Sequence, residues 1–243
     1  MKNIRISYQY DGSEFYGFQR QPGLRTVQGE LEKALKIITK EEVNLVSAGR
    51  TDRGVHAKEQ VSNFFTKTLV PVEKMTRILN AILPKDIVVI EVKEVPEEFN
   101  ARFSAIYRAY EYYITNENTP FRNRFATYYP EELDVDKINK ILKPLIGVHD
   151  FNNFRLSDCG SNTTIREIYI ASCEKKDEKT IGIFIRGNAF LKSQIRIIIG
   201  LVLEIYSGRL PENYLEKMLN NPEKEFRKPV AEPNGLHLAE IVY

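Results

Sequence analysis

A single carboxylate lies between two arginines in a short segment bounded by glycines, Gly49-Arg50-Thr51-Asp52-Arg53-Gly54. The residues before it, 43–48, are mostly apolar and β-prone, so we expect a tight loop that follows a strand. Guanidinium groups keep a neighbouring carboxylate ionised, and they also bind phosphate. An ionised aspartate on a rigid loop can act as a nucleophile or a general base. The alternative is a surface turn with an Arg–Asp ion pair, which is common and contributes little stability.

The same segment, with Val55-His56-Ala57 after it, resembles the active-site motif of the bacterial tRNA pseudouridine synthase A family. A chance match to one motif is plausible, whereas a chance match to a whole series in family order is not. The other blocks that resemble the family are Tyr10-Asp11-Gly12-Ser13, Tyr16-Gly17-Phe18-Gln19-Arg20-Gln21, Thr26-Val27-Gln28, Leu79-Asn80 with Leu83-Pro84, Phe99-Asn100-Ala101-Arg102-Phe103, Arg108 with Tyr110 and Tyr112, Asn188-Ala189-Phe190-Leu191 with Arg196, and Gly235-Leu236 with Tyr243.

The resemblance implies an isomerase that converts uridine to pseudouridine at positions 38, 39 and 40 of the tRNA anticodon stem-loop. It implies that Asp52 is the essential aspartate and that Arg50 helps to take the target base out of its stack. Tyr110 aligns with the active-site tyrosine, whose ring can stack on uracil and whose hydroxyl can pass a proton. Arg196 stands in place of an arginine that pairs with the catalytic aspartate. Leu236 matches a leucine that lines the pocket.

The formal net charge is only +2 at pH 7, so bulk charge does not indicate a nucleic-acid-binding protein. The basic residues lie instead in or beside the blocks that resemble the family, and that placement fits a basic cleft. We expect RNA contacts from Arg20, Arg102, Arg108 and Lys192. The expected partner is therefore tRNA, and the resemblance implies that the protein acts as a homodimer.

No cofactor and no metal are expected. Pseudouridine formation breaks a C1′–N1 bond and makes a C1′–C5 bond without net gain or loss of atoms. Two cysteines, Cys159 and Cys173, are too few for a disulfide framework, and no Cys/His spacing predicts a metal site. The charged first residues and the lack of an apolar run of about 18 residues predict a cytoplasmic protein with no membrane span.

The hydrophobic pattern predicts an α+β fold with two ferredoxin-like or RRM-like halves, mixed and largely antiparallel sheets, and a catalytic cleft between the halves. Apolar residues alternate over Ile4–Tyr10, which is typical of a half-buried strand. Thr26 can cap the helix that follows. Further strands over 43–48, 61–65 and 87–95, with a helix over 72–82, complete the order β-α-β-β-α-β.

Two domains are expected. Residues 1–100 form the N-terminal domain with the Asp52 loop, and residues 101–243 form the C-terminal domain with the Tyr110 strand. A strongly apolar helix over 189–206 carries Arg196, a charge that needs a partner because burial of an isolated charge is costly.

Four departures from the family pattern stand close to the candidate site. Arg53 replaces a small residue beside Asp52, and Phe18 replaces a tryptophan. The segment 192–195 lacks the aromatic and histidine residues usual there, and Ile197 replaces an asparagine. The four catalytic candidates are unchanged, so we expect these departures to affect substrate detail rather than activity.

Two other functions fit parts of the sequence. A non-catalytic RNA-binding protein on an RRM-like fold is one, but the aromatic-rich RNP1 signature is missing. A nucleoside hydrolase that uses Asp52 and Glu59 is the other, but clustered arginines suit a phosphate-bearing polymer better than a neutral sugar. His56 stands four residues after Asp52 on a tight loop, so we interpret it as a structural hydrogen-bonding residue rather than a catalytic partner.

Overall fold

The computed structural model describes residues 1–157 and 160–243, and Cys159 lies outside the described residues. The chain divides into two compact units, Met1–Ile106 with His237–Tyr243, and Tyr107–Leu236. The closing strand of the chain therefore packs with the first unit. The division into domains 1–100 and 101–243 stays a prediction.

The helices and strands follow one another in an order typical of α+β proteins. The first stretch of chain contains β1 (Lys2–Tyr10), α1 (Val27–Thr39), β2 (Val46–Ser47), β3 (His56–Thr66), α2 (Val72–Ile82) and β4 (Ile87–Val95). The rest contains β5 (Tyr107–Thr115), α3 (Pro120–Asn123), β6 (Thr127–Tyr128), α4 (Val135–Leu142), β7 (Gly147–Asp150), β8 (Ile165–Lys175), β9 (Thr180–Gly187), α5 (Gln194–Tyr206), α6 (Tyr214–Asn220) and β10 (Leu236–Val242).

The sheet of the first unit has β1 at its centre, paired antiparallel with β4 on one side and with β3 on the other. Two short strands share the far edge of β3. β2 pairs antiparallel at Ser62 and Asn63, and β10 pairs in parallel at His56 and Ala57. The Asp52 loop leaves the sheet between these two pairings, so it is anchored close to both of its ends.

The predicted start of α1 is confirmed, because the Thr26 side chain accepts a hydrogen bond from the Gly29 N–H at 3.3 Å. The strand predicted over 43–48 is shorter in the structure and covers only Val46–Ser47. A side chain explains the difference, since the Leu45 N–H donates to Oε1 of Glu32 at 3.3 Å instead of to a neighbouring strand.

The second unit has a sheet in the order β5-β9-β8-β7 with antiparallel pairs, and β6 lies parallel to β5. The helix predicted over 189–206 begins only at Gln194. The chain turns before it, since Ser193 has a left-handed backbone and the Gln194 side chain accepts the Leu191 N–H at 2.8 Å. Both units combine helices with mixed, largely antiparallel sheets, which confirms the fold class. The catalytic cleft stays a prediction.

Candidate active site

The Asp52 loop is closed by a tight turn. The Val55 N–H donates to the Asp52 carbonyl at 3.2 Å, and Gly54 between them has φ of 80°. A positive φ at the third position is typical of a type II turn and favours glycine. Asp52 itself is half-buried, while Arg53 is exposed at the second position of the turn.

The loop is also held at its start, where it leaves β2. The Ala48 N–H donates to the Val61 carbonyl at 2.9 Å, and the Gln60 amide donates to the Gly49 carbonyl at 3.1 Å. Gln60 is fully buried. Both bonds tie the loop to β3, so the few residues between them and the turn have little freedom to move.

Thr51 is held by hydrogen bonds from the end of β1 and from the segment that follows it. Its Oγ1 lies 2.7 Å from the Tyr10 hydroxyl, and its carbonyl accepts the Phe18 N–H at 3.1 Å. Gly17 has φ of 91°, and a Cβ there would stand 3.2 Å from the Thr51 carbonyl oxygen. Only glycine suits both that backbone conformation and that approach. The residue before Asp52 is thus fixed through its side chain and its main chain.

His56 supports the far end of the loop. It is buried, and its Nδ1 accepts the Gly12 N–H at 3.1 Å. Oδ1 of Asp11 lies 3.2 Å from the same nitrogen, and the ring stacks on His237 at 4.7 Å. These contacts are those of a structural hydrogen-bonding residue, and the absence of a catalytic role for His56 stays a prediction.

The two arginines beside Asp52 behave differently. Within residues 1–157 and 160–243, the exposed Arg50 guanidinium makes no hydrogen bond and no ion pair, so the alternative of an Arg50–Asp52 ion pair is not realised. The Arg53 guanidinium lies over the Tyr16 ring, 4.4 Å from its centre. Arg50 is therefore available to a substrate on the same loop as Asp52.

In the second unit, Tyr110 lies on β5 and is 9% exposed. Its ring meets Phe190 edge to face, with 5.3 Å between ring centres and an interplanar angle of 88°. Arg108 precedes it by two residues and so shares its face of the strand. Arg108 is also buried and donates to the Asn188 carbonyl at 3.0 Å, which supports the turn before Phe190. Its contact with RNA stays a prediction.

Arg196 lies in the first turn of α5. Its Nε donates to the Ala231 carbonyl at 2.8 Å, and the Ala231 N–H donates back to the Arg196 carbonyl at 3.0 Å. Burial raises the pKa of the Tyr112 hydroxyl, while a hydrogen bond with Thr127 and the positive charge of Arg196 oppose that shift. Arg196 thus acts electrostatically on the strand of Tyr110. Its pairing with Asp52 stays a prediction.

The other predicted binding residues are found in three settings. Leu236 is buried after a short 3₁₀ turn, Pro233–Gly235. Arg20 donates to Glu32 at 2.9 Å, and the nearly buried Glu32 carboxylate orients it. Arg102 and Lys192 are exposed. Their contacts with a substrate stay predictions.

Glu59 lies on β3 among other charged groups. Burial raises its pKa, Arg5 lowers it, and Glu240 and Glu91 raise it further. A hydrolase with two carboxylates needs both of them at the sugar. The groups that act on Glu59 belong to the strands of the sheet rather than to the Asp52 loop, which does not favour that alternative.

No helix in the described part of the chain is long and apolar enough to cross a membrane. Among the same residues, no group of three or more His, Cys, Asp or Glu side chains is placed to hold a metal ion. Cys173 is buried in β8, and burial raises the pKa of its thiol to about 12.

Several residues that hold the candidate catalytic residues in place have no individual role predicted from the sequence. Tyr10 bonds the Thr51 hydroxyl, and Gly17 packs against the Thr51 carbonyl. The Phe190 ring contacts the Tyr110 ring, and the Tyr16 ring lies under the Arg53 guanidinium. Each of these supporting residues lies in a block that resembles the family, and this resemblance is the feature of the sequence that could have pointed to them. Their contacts join residues far apart in the chain, so a single sequence does not reveal them.

Comparison with known proteins matches the chain to one family. A family model described as tRNA pseudouridine synthase matches residues 6–104 and 141–243. A protein of Caldicellulosiruptor bescii named tRNA pseudouridine synthase A is 38% identical over 245 residues and all of both chains. The proteins of that name from Thermoanaerobacter sp. strain X514 and Brachyspira hyodysenteriae are 39% and 40% identical, over 100% of this chain and 100% and 99% of theirs. A match of this extent leaves no large part of the chain unaccounted for, and the protein belongs to the tRNA pseudouridine synthase family.

Proposed function

We propose that the protein isomerises uridine to pseudouridine at positions 38, 39 and 40 of the tRNA anticodon stem-loop, with Asp52 as the essential aspartate. The observation that carries the proposal is the rigid loop around Asp52 in a chain that matches the family from end to end. Hydrogen bonds to Thr51 and the turn at Gly54 hold that loop. A fixed carboxylate is what nucleophilic or base catalysis requires.

The reaction needs a base that is out of its stack and a group that manages charge at the sugar or ring. Asp52 serves as covalent partner or as base. Arg50, whose guanidinium has no protein partner in the described residues, takes the place of the extruded base or holds its phosphate. Tyr110 stacks on the uracil, Arg196 pairs with Asp52, and Leu236 lines the pocket.

Overall, uracil N1 exchanges its bond to C1′ for a proton, and C5 exchanges a proton for the bond to C1′. Atoms and electrons balance without an oxidant, so no cofactor takes part. We place the reaction in the cytoplasm, where tRNA is found, and assign the active form as a homodimer.

The test uses tRNA labelled with tritium at C5 of uridine. Wild-type protein is expected to release tritium as C5 bonds to C1′, and Asp52→Asn is expected to release none while it still binds tRNA. Asp136→Asn is the matched control, because Asp136 is an exposed aspartate on α4, and it is expected to keep wild-type activity. Release of uracil would indicate a hydrolase, and binding without release an RNA-binding protein. Residual activity above a few per cent in Asp52→Asn would overturn the role of Asp52.

A further inference from the structure

We propose that Arg53 binds a backbone phosphate of the RNA next to the target uridine, and that the Tyr16 ring holds its guanidinium ready for that contact. The inference rests on the proposed function and adds a substrate contact to it. Arg53 is one of the departures from the family pattern, so the contact would be particular to this chain and to relatives that share the arginine.

Arg53 lies at an exposed position beside Asp52. It follows Asp52 directly and occupies the exposed second position of the turn that Gly54 closes. No carboxylate of the described residues lies within ion-pair distance of its guanidinium. An exposed cation without an acidic partner, next to a proposed catalytic carboxylate, is therefore open to a polyanionic substrate.

The Tyr16 ring lies under the Arg53 guanidinium. The Arg53 guanidinium lies 4.4 Å from the centre of the Tyr16 ring, which is 43% exposed. The Tyr16 main chain is held on both sides, because its N–H donates to the Arg25 carbonyl at 2.9 Å and its carbonyl accepts the Gln21 amide at 3.0 Å. The next residue, Gly17, packs on the Asp52 loop. The ring and the guanidinium are thus fixed to the same piece of structure.

The contact with the Tyr16 ring leaves part of the Arg53 guanidinium exposed. A guanidinium over a ring has one side occupied by the ring, and the N–H groups directed away from the ring stay available to a ligand. Two of those N–H groups match the spacing of phosphate oxygens. A side chain held in this way loses less rotamer freedom on binding than a mobile arginine does. The geometry therefore favours a phosphate over a stacked base as the ligand.

The experiment measures tRNA affinity by filter binding from 50 to 300 mM salt for wild type, Arg53→Ala, Arg53→Lys and Tyr16→Leu. Arg77→Ala is the matched control, because Arg77 is an exposed arginine of α2 in the same unit with no partner among the described residues. Arg53→Ala is expected to weaken binding several-fold at 100 mM salt and to lower the log–log salt slope by about 0.7 to 0.9. Arg77→Ala is expected to change neither.

The other variants separate the charge from its support. Arg53→Lys is expected to keep the slope but to bind more weakly than wild type, because an ammonium is a point charge without the fork of N–H groups. Tyr16→Leu is expected to weaken binding in the wild-type background and to add nothing in the Arg53→Ala background. An equal loss in both backgrounds would overturn the support by Tyr16.

Two results would overturn the phosphate contact. One is an unchanged salt slope in Arg53→Ala, which would indicate base stacking or no contact. The other is a loss confined to kcat, which would indicate that Arg53 acts on Asp52. Tritium release by wild-type protein is measured on the same tRNA. Failure of that release refutes the proposed function, whereas the two results above refute the Arg53 contact in an enzyme that works.

Discussion

The Tyr10 hydroxyl lies 2.7 Å from Oγ1 of Thr51, and this bond joins the end of β1 to the residue before Asp52. Both side chains are buried, so the bond is shielded from competing water. It links a residue of the sheet core directly to the loop. The position of Asp52 therefore depends on the sheet and not only on the turn at Gly54.

Thr51→Val removes this bond while it keeps the shape of the side chain. We expect a loss of about 1 kcal/mol in the free energy of unfolding and a fall in kcat, because the loop loses one of its ties. Thr39→Val is the control, since the buried Thr39 hydroxyl donates to the Leu35 carbonyl at 2.8 Å at the end of α1. Urea denaturation and turnover are measured on both. An equal effect on kcat in both variants would show that the Thr51 bond supports only the fold.

Gly12→Ala tests how closely the chain packs beneath the loop. A Cβ at Gly12 would stand 1.9 Å from the carbonyl oxygen of Val55, which is main chain and has little room to yield. We expect a loss of about 1 to 3 kcal/mol in stability, as for other overpacked sites, together with a loss of turnover. Gly160→Ala is the neutral control, because an added Cβ there would meet no atom of the described residues within 4 Å apart from its chain neighbours. Wild-type stability in Gly12→Ala would contradict this account.

Local patterns predicted much of the fold, because they act over short distances. The Thr26 cap and the buried apolar side of β1 follow from spacing and are present. The prediction that β1 is only half-buried was wrong, because Asn3 and Ser7 on its other face are buried too. The contacts that delay the start of β2 and of α5 were not predictable in this way. Glu32 captures the Leu45 N–H, and Ser193 adopts a left-handed backbone before α5.

The candidate site likewise has features that the sequence predicts and features that it does not. Asp52 and Arg50 stand out because their types and spacing suggest chemistry, and the tight turn at Gly54 agrees with the pattern of the loop. The contact of Arg53 with the Tyr16 ring and the close packing of Gly17 against the loop are not visible in the sequence. Both depend on the tertiary packing of segments that are far apart in the chain. The parallel pairing of β10 with β3 was unexpected for the same reason.

Tyr110→Phe removes a hydroxyl and keeps the ring that meets Phe190. We expect kcat to fall much more than tRNA affinity, because stacking on uracil survives and proton transfer does not. Tyr113→Phe is the matched control, since Tyr113 lies on the opposite face of β5 and its hydroxyl donates to Glu111 at 2.5 Å. Wild-type turnover in Tyr110→Phe would mean that the ring alone matters.

Treatment with a zinc-selective chelator should leave turnover unchanged when Mg²⁺ is kept to maintain the tRNA fold. The reason is chemical, since the isomerisation needs neither a Lewis acid nor an electron acceptor. The measurement is tritium release before and after chelation, with refolded protein as a reference. A loss of activity that added zinc restores would contradict the expectation.

The arginines and lysines should separate into two classes by salt dependence and turnover. Arg102→Ala and Lys192→Ala are each expected to lower the log–log slope of tRNA binding by about 0.7 to 0.9 and to leave kcat at saturation nearly unchanged. Arg50→Ala is expected to reduce kcat even at saturating tRNA, because its role is at the extruded base.

Arg122 provides the matched control for this comparison. Its guanidinium already contacts Asp177 at 2.8 Å and Glu117 at 2.5 Å, so it has two carboxylates to neutralise it. Arg122→Ala is therefore expected to change the salt slope little. Filter binding over a salt series and single-turnover tritium release measure all four variants. If Arg50→Ala gave the same profile as Arg102→Ala, Arg50 would be another phosphate contact and its role in base extrusion would be withdrawn.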